Sequence, residues 1–182
     1  RYTVQPLQVP GRGQAAAAAQ LAAAHPSLHY VFVGDCPSQK AESQAHLAAL
    51  RAAFAQGELA GRGHFGGVRA DVPRLLSECT LLVHPARQEP LGRVLLEGAA
   101  SGAAIIATDV GGTAEIFPPE SGAAVLVPAG DAEALAAAIG KLAQDRKARG
   151  SLGWAARSRA ETTFSRERAA SGLAAQYESL TA

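Results

Sequence analysis

Short apolar segments with strand character alternate with helical segments along the chain, and this alternation constrains the fold more than any other feature. The segments with strand character are residues 2–4, 29–33, 64–68, 80–84, 104–107 and 124–127. Helical patterns occupy the intervals between them and continue to the end of the chain. Such alternation is typical of a parallel sheet covered by helices on both faces. We therefore predict an α/β fold with a parallel β-sheet of about six strands.

The helical patterns have recognisable beginnings and ends. We predict helices over residues 14–24, 40–56, 71–79, 90–101, 113–117, 131–145, 152–162 and 166–180. Asp71 and Asp131 are candidate N-caps, because a short acidic side chain can accept a hydrogen bond from the first turn. An apolar stripe on the last helix consists of Ala169, Leu173, Tyr177 and Leu180.

Composition and charge narrow the classes of function. Hydrophobic residues make up 48% of the 182 residues and charged residues 18%, which is typical of a globular chain. Because no linker or repeat interrupts the pattern, we expect residues 1–182 to form a single domain. The formal net charge of +1 gives no long-range attraction for nucleic acid or anionic membranes. We expect no transmembrane segment, because no apolar run is long enough to span a bilayer.

The cysteines and histidines point to neither a disulfide framework nor a metal site. Cys36 and Cys79 are the only cysteines, which favours a reducing intracellular location such as the cytoplasm. The five histidines lack metal-ligand spacing, so we expect no metal. His84 closes an apolar segment, and a packed, hydrogen-bonded role is favoured there over a role in a pocket. The chain contains no methionine, so we expect it to be a piece or a processed product of a longer protein.

The segment after the fourth predicted strand carries residues suited to a phosphate. Ligands of open parallel sheets bind beyond the carboxyl ends of the strands. Pro90 opens a predicted helix there, and the free N–H groups and dipole of a helix N-terminus attract anions. Gly92 has no side chain to keep a ligand from the backbone, and Arg93 can add a charged contact.

Glu89 and Glu97 flank this segment at a spacing of eight residues. On a continuous helix they would lie about 12 Å apart along the axis and ~80° apart around it. One carboxylate could then reach a sugar and the other a ribose at the two ends of a nucleotide diphosphate, because carboxylates accept hydrogen bonds from paired hydroxyls. The alternative interpretations are a helix-capping role for Glu89 and an ordinary surface position for Glu97.

Residues 83–127 resemble the donor-binding core of retaining GT-B glycosyltransferases of family 4, the group 1 type. The matching motifs occur in the family's order: Glu89-x-x-Gly92 with Glu97, Ala99-Ala100-Ser101-Gly102, Val110-Gly111-Gly112-Thr113 with Glu115, and Leu126-Val127-Pro128. Weaker similarity covers Val33-Gly34-Asp35, Phe65-Gly66 and Phe164-Ser165. The resemblance implies a Rossmann-like sheet, the C-terminal half of a GT-B fold.

The resemblance also implies roles for individual residues. Glu97 would bind the ribose hydroxyls, and Glu89 would lie beside the transferred sugar at the catalytic centre. The diphosphate of a UDP-, GDP- or ADP-linked sugar would be held by backbone amides around Leu91, Gly92 and Arg93. No cofactor besides this donor is implied. The glycosyl group would pass to an acceptor with retention at the anomeric carbon.

The chain departs from the family pattern near its start. The family places two cations there, in a Gly-Arg-x4-Lys-Gly arrangement. Here Arg12-Gly13 matches the Lys-Gly pair, but Leu7 occupies the position of the arginine. Arginine binds phosphate well but does not replace lysine without effect, and Arg12 could instead lie in an exposed turn. A missing cation is expected to slow transfer more than it weakens donor binding.

The resemblance implies that an N-terminal acceptor-binding domain is absent from this chain. The chain alone should then bind donor more readily than it transfers sugar, and helix 166–180 resembles one that crosses onto the missing domain. One alternative is a non-catalytic nucleotide-sugar-binding module, which Leu7 would favour. Another is a different GT-B enzyme, such as a phosphorylase or a sugar-nucleotide epimerase. A phosphorylase would require a lysine linked to pyridoxal phosphate, yet all three lysines lie on predicted peripheral helices: Lys40, Lys141 and Lys147.

Overall fold

Six strands and eight α-helices alternate in the computed structural model. The structure describes the backbone of residues 2–6, 13–34 and 40–181. It describes the side chains of residues 13–34, 40–41 and 43–180. The strands are β1 (Tyr2–Pro6), β2 (His29–Val33), β3 (Gly63–Gly67), β4 (Leu81–His84), β5 (Ile105–Thr108) and β6 (Val125–Val127). The helices are α1 (Gly13–Leu21), α2 (Ala41–Ala53), α3 (Val72–Glu78), α4 (Arg93–Ala100), α5 (Thr113–Ile116), α6 (Ala132–Gln144), α7 (Arg146–Thr163) and α8 (Arg166–Thr181). The predicted strand–helix alternation is confirmed.

The strands form one parallel sheet in the order β3-β2-β1-β4-β5-β6. From β1 the chain moves outward through β2 to β3, and it then returns to the other side of β1 as β4. This order contains a topological switch point between β1 and β4, where neighbouring crossovers run in opposite directions. The predicted fold class, a Rossmann-like parallel sheet of six strands, is confirmed.

Helices cover both faces of the sheet, and the strands bury side chains toward each of them. Leu81 and Val83 point into a core formed with α1, α2 and α6, whereas Leu82 points into a second core formed with α3, α4 and α7. This alternation follows from the two-residue period of a strand. All four residues of β4 are buried, which explains why the first three, Leu81 to Val83, are apolar without interruption.

Small residues allow the helices to approach the sheet and one another closely. A Cβ atom on Gly98 of α4 would lie 2.3 Å from the Leu82 side chain, so any larger residue there would require the buried Leu82 side chain to move. Gly153 of α7 likewise lies against the backbone of Gly102, at the end of α4. On the opposite face, Ala17 of the alanine-rich α1 is fully buried against the sheet.

Three helix starts depart in detail from the predictions. The helix predicted from Pro90 begins at Arg93, because Gly92 is in the left-handed conformation with φ of 72°. The helix predicted from residue 152 begins at Arg146, because Asp145 accepts a hydrogen bond from the Ala148 amide and caps it there. Asp71 occupies the predicted N-cap position but makes no cap bond, because Arg69 engages both of its carboxylate oxygens. The N-cap predicted at Asp131 is confirmed.

The last helix, α8, lies on the surface. Every side chain described in it is exposed, including the apolar Leu173, Tyr177 and Leu180 at 55%, 63% and 81%. In the part of the chain that the structure describes, every helix is too short or too polar for a membrane span.

Candidate functional site

Among the described residues, those predicted to carry function lie at the carboxyl edge of the sheet, beside the switch point. Two loops meet there: the donor loop, residues 85–92 between β4 and α4, and the glycine loop, residues 109–112 between β5 and α5. A narrow cleft at this edge is lined by Gly13, Pro85, Thr108, Val127, Pro128, Gly130, Asp131 and Leu135. The fold therefore places the predicted segment where open parallel sheets bind their ligands.

Glu89 is buried in the donor loop with both carboxylate oxygens hydrogen-bonded. Its Oε1 accepts from the backbone amides of Gly92 at 2.6 Å and Leu91 at 3.3 Å. Its Oε2 lies 2.6 Å from Nε2 of His84, the last residue of β4. Glu89 thus caps the turn that leads into α4, and only 7% of the residue is exposed. Two of the amides predicted to hold a diphosphate are engaged by this carboxylate.

The charge state of the His84–Glu89 pair follows from its surroundings. Burial lowers the pKa of His84, and the neighbouring Glu89 only partly opposes this. Burial alone would raise the pKa of Glu89, but hydrogen bonds from Gly92, His84 and Leu91 lower it below its usual value. At neutral pH an ionised carboxylate therefore faces a neutral imidazole. Because a carboxylate only accepts hydrogen bonds, Nε2 must carry the proton. The packed, hydrogen-bonded role predicted for His84 is confirmed.

The glycine loop packs directly on the backbone of the donor loop. The Gly112 amide donates to the Glu89 carbonyl at 2.9 Å. Gly111 has φ of 52°, and a Cβ atom there would lie 2.2 Å from the same carbonyl oxygen. The Thr108 hydroxyl, at the end of β5, donates to the Ala86 carbonyl at 2.6 Å. These contacts hold the donor loop and the glycine loop together. Gly111 and Gly112 therefore have a structural role in addition to any contact with a ligand.

Glu97 differs from Glu89, because it lies on the exposed face of α4. Its side chain is 51% exposed and lies 3.8 Å from Arg93, which precedes it by one turn and is 83% exposed. Since α4 begins at Arg93, Glu97 lies about 6 Å along the axis from the helix start. The continuous-helix geometry considered for the two glutamates does not apply, because Glu89 lies in the donor loop and Gly92 interrupts the helical conformation between them.

Arg159 of α7 binds the end of α5, the helix that follows the glycine loop, which the sequence did not indicate. Its guanidinium donates to the backbone carbonyls of Glu115 and Ile116, the last residues of α5. The Ile116 side chain in turn packs against Gly92. An arginine on a distant amphipathic helix has no local pattern that distinguishes it from its surface neighbours, so only the fold identifies this contact.

Two predictions fall outside the described residues. Arg12, the candidate phosphate ligand, and Leu7, which replaces the family's arginine, both lie in the segment 7–12. Across residues 13–34, 40–41 and 43–180, no three histidine, cysteine or acidic side chains are grouped so that they could hold a metal ion.

Known proteins resemble this chain in sequence and in fold. The lipopolysaccharide core biosynthesis mannosyltransferase LpcC of Rhizobium leguminosarum bv. viciae is 36% identical over 141 residues, which are 77% of this chain and 40% of that protein. The structure of Alr3699/HepE from Anabaena in complex with UDP-glucose superposes with a TM-score of 0.84 at 26% identity, over 97% of this chain and 48% of HepE. The chain thus spans less than half the length of both.

A third comparison covers most of a solved domain. The C-terminal domain of the glycosyl transferase group 1 family protein LpcC from Francisella tularensis has the same fold, with a TM-score of 0.73 at 20% identity. The match covers 91% of this chain and 86% of that domain. The family model of glycosyl transferases group 1 matches residues 14–145, which include both loops, Glu89 and Glu97. This chain belongs to the glycosyl transferases group 1 family, and its fold is that of the C-terminal domain of a GT-B glycosyltransferase.

Proposed function

We propose that this chain is the donor-binding domain of a glycosyltransferase that moves a glycosyl group from a nucleoside-diphosphate sugar to an acceptor with retention at the anomeric carbon. The observation that carries the proposal is the position of Glu97, exposed on α4 one turn beyond a helix start at the switch point. HepE, which shares this fold, forms a complex with UDP-glucose.

The diphosphate would bind at the N-terminus of α4. Because Glu89 already accepts from the Leu91 and Gly92 amides, we assign the diphosphate first to the N–H group of Arg93 and that of the next residue, which a helix leaves without intrahelical partners. The exposed Arg93 guanidinium would add a charged contact, and Arg12 a second one. The departing diphosphate would be stabilised electrostatically by these groups.

The ribose and the sugar would lie on opposite sides of this helix start. A nucleotide whose diphosphate occupies the start of α4 would bring its ribose within reach of Glu97, whose exposed carboxylate can accept from two hydroxyls. The transferred sugar would lie beside the donor loop that Glu89 shapes. Mannose is the first sugar to test, because the relative from Rhizobium is named a mannosyltransferase.

An N-terminal domain would complete the enzyme. The exposed apolar stripe of α8, with Leu173, Tyr177 and Leu180, would then be covered by that domain. We propose that the complete protein binds the acceptor between its two domains, works in the cytoplasm and uses no metal. A non-catalytic sugar-nucleotide-binding module remains the alternative that Leu7 would favour.

Calorimetric titration tests the donor site. The chain is titrated with UDP, GDP and ADP and with UDP-glucose, GDP-mannose and ADP-glucose. We expect one nucleotide series to bind and Glu97→Ala to weaken it by about tenfold or more, because hydrogen bonds to a charged group contribute roughly 1.5–3 kcal/mol. Glu161→Ala is the matched control, since Glu161 is also an exposed helical glutamate paired with an arginine four residues away.

Two results would contradict the proposal. In one, no nucleotide binds the wild-type chain; in the other, Glu97→Ala and Glu161→Ala bind the nucleotide equally well. An assay of the longer protein separates the alternative function: binding of the donor without any transfer or hydrolysis would identify a non-catalytic module.

A further inference from the structure

The buried imidazole of His84 has a hydrogen-bonding arrangement that packing alone does not require. His84 is 1% exposed at the end of an otherwise apolar strand, and its Nε2 lies 2.6 Å from Glu89 Oε2. A leucine or phenylalanine would fill such a core position without a polar group to satisfy. The histidine instead provides the donor that one oxygen of a buried carboxylate needs.

The same carboxylate determines the shape of the donor loop. Through Oε1, Glu89 holds the amides of Leu91 and Gly92, and through its carbonyl it accepts from Gly112. If Oε2 lost its partner, the carboxylate would be left partly unsatisfied in a buried position, which is unfavourable unless the side chain turns toward solvent or takes up a proton. Either change would weaken the hydrogen bonds that Glu89 accepts from the Leu91 and Gly92 amides.

We infer that His84 is a positioning residue of the donor site, which fixes the Glu89 carboxylate so that it holds the start of α4 in the shape that receives the donor diphosphate. The inference rests on the proposed function for its ligand. It assigns His84 no contact with the donor: the imidazole acts only through Glu89. The lowered pKa of His84, caused mainly by burial, keeps it as a neutral donor at physiological pH.

A pair of variants that differ by one methylene group tests this inference. In His84→Gln the side-chain amide nitrogen reaches roughly the place of Nε2 and can still donate to Glu89. In His84→Asn the amide is one carbon shorter and falls short of Glu89, although it is equally polar. Both variants therefore replace the buried imidazole with an amide, but only His84→Gln can keep the hydrogen bond to Glu89.

The first measurement is the amide proton resonance of Gly92 in the chain without nucleotide. A short hydrogen bond to a carboxylate places such a proton far downfield. We expect the resonance to stay downfield in His84→Gln and to move upfield in His84→Asn. A Gly92 resonance that is unchanged in His84→Asn, or displaced equally in both variants, would overturn the inference.

The second measurement is the affinity for the sugar nucleotide that the wild-type chain binds best. His84→Gln should bind it within about threefold of wild type and His84→Asn about tenfold more weakly, as expected for the loss of one hydrogen bond to a charged group. Equal affinities of the two variants would contradict the inference. If wild type bound no sugar nucleotide, the proposed function would fail, whereas the Gly92 resonance would still decide the role of His84.

A third variant covers the case in which His84→Asn does not fold. Glu89→Gln retains the size of the glutamate and removes its charge, so it should displace the Gly92 resonance while His84 is intact. His84→Leu, which cannot donate a hydrogen bond, should weaken donor binding about tenfold in the wild-type background and should have little further effect in Glu89→Gln, because the partner carboxylate is gone. A further loss of the same size as in the wild-type background would show that His84 acts independently of Glu89.

Discussion

Gly111 joins the two loops of the candidate site at a distance that only glycine permits. Its φ of 52° lies in the left-handed region, and a Cβ atom would lie 2.2 Å from the Glu89 carbonyl oxygen. Gly122 has a similar φ of 58°, but nothing lies within 4 Å of its Cβ position. The two glycines therefore share a backbone conformation and differ in their surroundings.

This difference makes a prediction about stability. Gly122→Ala should lower the free energy of unfolding by about 1 kcal/mol, the cost of the left-handed conformation for an ordinary residue. Gly111→Ala adds a collision with backbone and should lower it by about 3 kcal/mol, because overpacking contributes a further 1–3 kcal/mol. Urea unfolding measures both values. Equal losses would show that the two loops separate easily, and the close contact at Glu89 would then be unimportant.

The sequence predicted most of the site's residues but not their arrangement. Glu89, Gly92, Glu97 and the glycine pair were all found by motif and spacing. Two carboxylates eight residues apart would lie on nearby faces of a continuous helix, but Gly92 adopts a left-handed conformation and leaves Glu89 outside the helix that carries Glu97. Whether a glycine precedes the helix at that point depends on its neighbours in space, here Glu89 and Ile116, which spacing along the chain does not reveal.

At the scale of elements, the sequence pattern predicted the six strands and eight helices that the structure describes, and most of them bury a face. Strand β4 is buried at every position, and apolar at all but His84, because helices cover both faces of the sheet. The short α5 has only four residues and is held by contacts that no local pattern shows. Arg159 of α7 donates to the carbonyls of Glu115 and Ile116 and so ties the end of α5 to a helix outside the family match.

The contact of α7 with α5 leads to a second stability prediction. Arg159→Ala should lower the free energy of unfolding by about 1–2 kcal/mol, since it removes charged hydrogen bonds to two carbonyls. Arg157→Ala removes the same charge from the same helix but breaks only an exposed ion pair with Glu161, so its effect should stay within about 0.5 kcal/mol. Thermal and urea unfolding of the two variants give the comparison. Similar effects of both variants would mean that Arg159 does not support α5.

At the scale of the whole molecule, the chain resembles half of a larger architecture. It spans 40% of the length of the mannosyltransferase relative and 48% of HepE. The donor loop lies at one edge of the sheet, and α8 extends over the surface with its apolar side chains exposed. Both features are consistent with the proposed second domain. Helix α8 offers the more direct test, because its stability should increase when the second domain covers its apolar side chains.

Hydrogen exchange of α8 provides that test. An isolated helix of 16 residues is marginally stable in water, and α8 buries none of its described side chains, so its amides should exchange with little protection in this chain. Helix α6 buries Leu135, Ile139 and Leu142 and should exchange far more slowly. In the longer protein, coverage of Leu173 and Leu180 should raise the protection of α8 by at least about tenfold, which corresponds to 1.4 kcal/mol. Protection of α8 equal to that of α6 in the chain alone would show that this helix needs no partner domain.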